Sequence, residues 1–263
     1  MQVTFLRIAL GSYLLSFLFS WLNSYSRNGL FSRLAAWLLK AGFALHTLIL
    51  VMRWYEAKRP PFANMYEALV LFAWAIILIY MLFDFIYKIR FMSRPVSGLV
   101  LIIMGFAAVL DNSIGPLMPA LQSRWITIHV VSYFLGYAAM SLSVICGIYY
   151  LRSSKSANPD AEKLKALDSL GYYSIAFAFP FLTIGMTTGS IWANVAWGTY
   201  WNWDPKETCS LITWMVYALY LHLRMFKGLK AEKAAWLSVI GYFAVLFTFV
   251  GVNFILPGLH SYS

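Results

Sequence analysis

The chain is expected to fold as an all-α polytopic membrane protein of about eight transmembrane helices, and three features of its sequence lead there. Of its 263 residues, 61% are hydrophobic and only 11% charged, against about a quarter charged in an ordinary globular domain. Several apolar runs pass the roughly 18-residue length that crosses a bilayer as a helix. Those runs are continuously apolar rather than alternating, which excludes a membrane barrel.

The runs place spans at 4–23, 35–53, 66–87, 96–110, 126–151, 170–191, 207–224 and 235–256. The first has no basic leader and no small-residue cleavage site before Ser24, so it reads as a retained span rather than a signal peptide. The fourth is short, and is expected to tilt little or to be partly re-entrant. Ser153–Ser169, with Asn158-Pro159 and mixed charges, reads as a solvated loop. No connection is long enough to fold alone and no fixed-period repeat stands out. Residues 1–263 are therefore read as one transmembrane domain, whose notable connections are the segment 192–207 and the loop 152–168.

Charge gives the orientation. The net charge of +10 is the excess that positively charged cytoplasmic loops produce, so it calls for a lipid bilayer and not for nucleic acid. The loops after the first, third, fifth and seventh spans hold thirteen Lys and Arg, and the opposite loops hold five (Arg53, Lys58, Arg59, Arg124 and Lys206). The richer set belongs in the cytoplasm. Both termini are then expected on the outer side, together with Trp54–Glu67, Asp111–Trp125, Trp192–Glu207 and Pro257–Ser263. Glu67 and Glu207 suit helix N-termini, where a carboxylate meets the positive dipole end. Cys146 and Cys209 form no CxxC pair and read as packing residues.

The most unusual stretch runs from Trp197 to Glu207. It sets Trp197, Tyr200, Trp201 and Trp203 within seven residues, then continues as Asp-Pro-Lys-Glu. Single aromatic residues at a membrane boundary are ordinary interfacial anchors. Four on one short turn read as a platform for a flat, mostly apolar ligand. Two of the four histidines fall on the same side: His129 about one turn inside the fifth span, and His260 just past the last. Neutral imidazole is a common axial ligand of haem iron, and two imidazoles make it six-coordinate.

The other two histidines lie at different depths. His222 is 15 residues into the seventh span, roughly 22 Å deep, whereas His46 is about 10 Å below the outer surface. Axial ligands of one iron sit at similar depths, and a mismatch of roughly 12 Å excludes this pair from a shared haem. His222, as a ligand, needs a partner from another subunit; otherwise it snorkels towards the interface beside Arg224. His46 reads as one end of a helix–helix hydrogen bond.

The run Trp197–Arg224, WGTYWNWDPKETCSLITWMVYALYLHLR, resembles the WWD haem-handling family, in its CcsA (ResC-like) branch of System II cytochrome c biogenesis. SRWITIH at Ser123–His129, LPGLHSY at Leu256–Tyr262 and RWYEAKRPPFANMYEA at Arg53–Ala68 carry the same likeness. Cys209 departs from it, standing where a tryptophan is expected in many relatives.

The resemblance implies haem b as a transported substrate, held on the outer face by His129 and His260, and a deep histidine, His222, paired with one from a CcsB-type subunit. It implies a bacterial cytoplasmic (inner) membrane location with the site facing the periplasm or cell exterior. It also implies a haem lyase activity, exerted together with CcsB, that attaches haem to a CxxCH apocytochrome c kept reduced by thiol-reducing proteins. Trp197, Trp201 and Trp203 are expected against the porphyrin, and Arg53, Arg59, Arg124 and Lys206 are candidates for its propionates. Asp204 joins His129 and His260 in the candidate catalytic set, although a lone carboxylate gives no acid–base pair and its first role is to order the turn. Two rivals remain: a CcmC-like exporter that loads haem onto a chaperone, expected with six spans, and a quinol-linked cytochrome, whose haems sit between helices.

Overall fold

In the computed structural model, residues 2–26 and 29–252 are described, and every element among them is helical. Eight helices are long and apolar enough to cross a membrane: α1 (Gln2–Ser26), α2 (Gly29–Ala57), α3 (Met65–Tyr87), α4 (Ser93–Ala107, after a 3-10 turn at Arg90–Met92), α5 (Arg124–Ser154), α6 (Ala161–Trp197), α7 (Pro205–Phe226) and α8 (Ala231–Leu246, continued as π-helix over Phe247–Gly251). Each contains one expected span or most of it.

The largest difference is at α6. The expected loop Ser153–Ser169 is already helical from Ala161. Asp160 caps that helix by accepting the Lys163 N–H at 3.1 Å, and Ala, Glu, Lys and Leu are strong helix formers. The charges that suggested a loop decorate a solvated first turn, while Leu167 is buried. At 37 residues, α6 is about 55 Å long, well beyond the ~30 Å hydrocarbon core.

The chain divides into two compact units, Met1–Leu117 and Met118–Ser263. In the first, α1 packs on α2 and α4, and α3 packs on α4. Polar side chains join these helices: Tyr13 Oη and His46 Nδ1 lie 3.1 Å apart, Ser16 Oγ donates to Ala35 O at 2.8 Å, and Trp74 Nε1 donates to Thr47 Oγ1 at 2.8 Å. His46 is thus the helix–helix hydrogen bond expected of it, fully buried between α1 and α2. Such bonds average about 0.6 kcal/mol each in a bilayer.

In the second unit α5 is the central helix, packed on α6 and α8, with α7 against α6 and α8. Small residues permit the close approach, as usual where lipid supplies no hydrophobic drive. A Cβ on Gly147 would come within 2.6 Å of Ser238 Oγ. Ser141 and Tyr242 share a bond of 2.7 Å, and Trp214 Nε1 donates to Thr183 Oγ1 at 3.0 Å. Cys146 is buried and Cys209 partly so; both are free thiols.

Candidate functional site

The loop between α6 and α7 is built by its end signals. Gly198 closes α6 in the left-handed region (φ 79°), where its N–H caps Asn194 O, and glycine takes that conformation without a Cβ penalty. Asp204 opens α7 as a capping box. Its carboxylate accepts the Lys206 N–H at 2.9 Å, while Glu207 reaches back to the Asp204 N–H at 3.3 Å; Pro205 sits in the first turn. Glu207 also accepts the Asn202 N–H at 2.8 Å. Asp204 therefore orders the turn.

His129, on α5, packs its imidazole against α6. Its Nδ1 lies 2.8 Å from the carbonyl oxygen of Gly185. A carbonyl only accepts, so Nδ1 carries the hydrogen and the lone pair is on Nε2. Gly185 and Gly189, spaced GxxxG, make the seat: a Cβ on Gly189 would overlap the imidazole, and one on Gly185 would fall 2.8 Å from the ring of Tyr133. Tyr133 meets His129 edge-on at 4.8 Å between ring centroids, and Trp192 lies 6.2 Å away. Trp192 is itself pinned by donation from Nε1 to Ala120 O at 2.7 Å.

A cavity of about 100 Å³ opens beside this imidazole. His129, Tyr133, Tyr137, Tyr200 and Trp201 give it an aromatic lining; Lys206, Glu207 and Ser210 give it a polar one. Thr248 and Phe249 close it from the π-helical turn, a widening of the ladder that recurs at functional sites. The structure thus brings together His129, Trp201 and Lys206 of the expected site residues.

It separates the other tryptophans. Trp197 turns edge-on against Trp192 at 4.7 Å, and Trp203 stands perpendicular to Trp201 at 5.8 Å. Trp203 is 70% exposed and adopts φ 58°, a left-handed conformation uncommon and costly for a bulky residue. The flat platform expected of these rings is instead one wall ring, one half-buried ring braced on Trp192 and one projecting ring.

Arg124 is exposed at the start of α5. Arg53 and Arg59 belong to the first unit, where both are buried against Glu67: Arg53 Nε donates to one carboxylate oxygen at 2.9 Å and Arg59 Nη1 to the other at 2.7 Å. Each also donates to a loop carbonyl, Arg53 to Ser113 O and Arg59 to Gly115 O. Nearby, the exposed Asp111 carboxyl is held below its usual range by hydrogen bonds from Ser113. His222 is exposed on α7, 5.3 Å from the Phe226 ring, in a stripe with Ile212, Met215 and Leu219. His260 lies outside the described residues.

Sequence reasoning missed Tyr133, Tyr137 and the pair Gly185 and Gly189. The GxxxG spacing was the available signal, since it marks a place where something packs directly on helix backbone.

Fold and site together define a polytopic membrane bundle with an imidazole held in an aromatic cavity where helix ends meet. The model for the family described as cytochrome C assembly protein matches residues 62–260. Proteins named cytochrome c biogenesis protein CcsA are similar over most of the chain. The one from Chlamydomonas reinhardtii is 38% identical, covering 83% of this chain and 65% of its own length. That from Trieres chinensis is 36% identical, covering 93% and 89%, and that from Pyropia yezoensis 32%, covering 100% and 98%. The chain belongs to the cytochrome c assembly protein family, on its CcsA branch. Its fold is shared with a solved structure titled cytochrome c heme lyase CcmF, at TM-score 0.71 and 20% identity; the likeness covers 95% of this chain and 46% of that one.

Proposed function

We propose that the chain is the haem-handling subunit of a cytochrome c synthase. It moves haem b across the cytoplasmic membrane and presents it at the outer face for thioether attachment to a CxxCH apocytochrome c. The observation that carries this reading is the imidazole of His129, its Nδ1–H given to Gly185 O and its ring on the wall of an aromatic cavity. Metal-ligating histidines almost always donate their other ring N–H in this way.

His129 and His260 hold the iron from two sides, and the substrate histidine displaces one of them. Each attachment adds a cysteine S–H across a haem vinyl group. A C–S bond forms, the thiol hydrogen ends on the terminal vinyl carbon, and no electrons are gained or lost. The haem supplies the reactive groups; the protein contributes position and access. The cavity of about 100 Å³ is smaller than the ~300–1,000 Å³ of sites that enclose a whole ligand. The macrocycle therefore enters by an edge and rests the remainder against Tyr200, Trp201 and the projecting Trp203. Lys206, on the cavity wall, is the cation best situated for a propionate, with Arg124 a second; Arg53 and Arg59 are already engaged by Glu67.

On the cytoplasmic side, haem enters at His222, whose exposure suits an imidazole shared with a CcsB-type subunit. Synthase activity belongs to that complex, with thiol-reducing proteins supplying reduced CxxCH. Eight membrane-length helices favour this reading over the six-span exporter. Co-expression with a CcsB-type subunit and an apocytochrome tests it. Wild type should yield covalent haem, and replacing His129 and His260 together should abolish both the outer haem absorbance and maturation. Wild-type spectra in that double variant would defeat the assignment.

A further inference from the structure

Glu207 uses its two carboxylate oxygens very differently. Oε2 accepts the N–H groups of Asn202 and Asp204 and so fixes the loop to α7. Oε1 is buried with no hydrogen-bond partner. The side chain belongs to a residue only 8% exposed, and it lines the cavity that His129 also lines. A buried carboxylate oxygen without a donor is costly, and native structures keep few of them. The capping function does not need it, because Oε2 alone performs that.

An iron-bound imidazole needs an acceptor for its second ring N–H. For His129 that acceptor is Gly185 O. The imidazole on the opposite side of the iron needs one as well, and the unsatisfied Oε1 belongs to a residue that lines the cavity. We infer that Glu207 is a positioning residue for the second axial imidazole, taking its Nδ1–H on Oε1 and thereby aiming its Nε2 at the iron. This rests on the haem reading above. The same chemistry has two sources, the chain's own His260 and the histidine of the CxxCH substrate, and the test separates them.

The experiment uses the complete complex with the CcsB-type subunit. Glu207→Gln keeps an oxygen for the loop N–H groups, since glutamine serves at this position of a capping box, but puts an NH2 donor where the second acceptor stood. Glu207→Ala removes the acceptor altogether. Both variants should co-purify with haem through His129. If Oε1 serves His260, the resting spectrum shifts from low-spin six-coordinate towards high-spin, reporting a sixth ligand bound roughly 10–100-fold more weakly. If it serves the substrate, the resting spectrum is unchanged and a CxxCH peptide binds weaker by the same factor. Unchanged spectrum and unchanged peptide affinity in Glu207→Gln and Glu207→Ala would overturn the inference. Haem missing from the wild-type complex, or retained normally in His129→Ala, would instead remove the reading beneath it. Should Glu207→Ala fail to fold, Glu207→Asp supplies the comparison, because it keeps the charge but withdraws it from the cavity.

Discussion

His129 Nδ1 and the carbonyl oxygen of Gly185 are 2.8 Å apart, close enough to settle which ring nitrogen holds the hydrogen. The contact exists because α6 offers bare backbone there. Gly189, one turn further on, has no room for a Cβ beside the imidazole. Gly189→Ala should therefore leave the helix intact, since alanine is the better helix former, while pushing the ring out of its seat. The expected result is roughly 10–100-fold weaker haem retention in a protein that still folds in detergent, at a modest cost in thermal stability from the crowded seat. Normal haem content in Gly189→Ala would mean that the seat does not orient a ligand.

Trp203 combines an exposed ring with a left-handed backbone. Sites of this kind cost about 1–3 kcal/mol and persist where function requires them. Trp203→Gly relieves the strain and gives up only the small contact that a ring 70% exposed makes, so unfolding should occur at an equal or higher temperature. Cytochrome maturation should nevertheless fall, because the projecting ring is lost. Full maturation in this variant would reduce Trp203 to an interfacial anchor.

His46 tests the opposite expectation. Its bond to Tyr13 is buried between α1 and α2, and a Cβ on Gly42 would come within 2.6 Å of the Tyr13 ring, so the pocket is tightly matched. His46→Leu leaves the tyrosine hydroxyl without that partner, at a cost of about 1–3 kcal/mol. Stability in detergent should drop while the haem spectrum is unaltered. A spectrum that changed without loss of stability would make His46 a ligand after all.

The eight helices were legible because a bilayer demands long apolar runs and leaves few alternatives. Only the start of α6 misled, where charges on a solvated turn of helix look like charges in a loop. The site was legible in parts. His129, Trp201 and Lys206 are joined by the structure, and both glutamates stand where a helix N-terminus favours them. Their second roles were not legible. Which side of a glycine an imidazole packs on, or which arginine a carboxylate meets across 14 residues, depends on helix rotation and loop path. Linear spacing carries neither.

Glu67 shows this most plainly, and it yields the sharpest prediction. It sits in the first turn of α3, capped by Asn64, and it holds Arg53 and Arg59 with all three side chains at most 8% exposed. The cluster carries two positive charges and one negative. Glu67→Gln raises the buried excess to two, and removing one partner of a buried pair costs about 3–5 kcal/mol. Arg53→Met instead leaves Arg59 and Glu67 as a balanced pair and fills the space with an apolar chain, so it should cost less. Thermal unfolding of the two variants in detergent should rank them in that order. Haem content then decides the remaining question. If Arg53 only braces the loop through Ser113 O, Arg53→Met keeps its haem. If Arg53 holds a propionate, haem is lost while the protein stays folded, and the brace account fails.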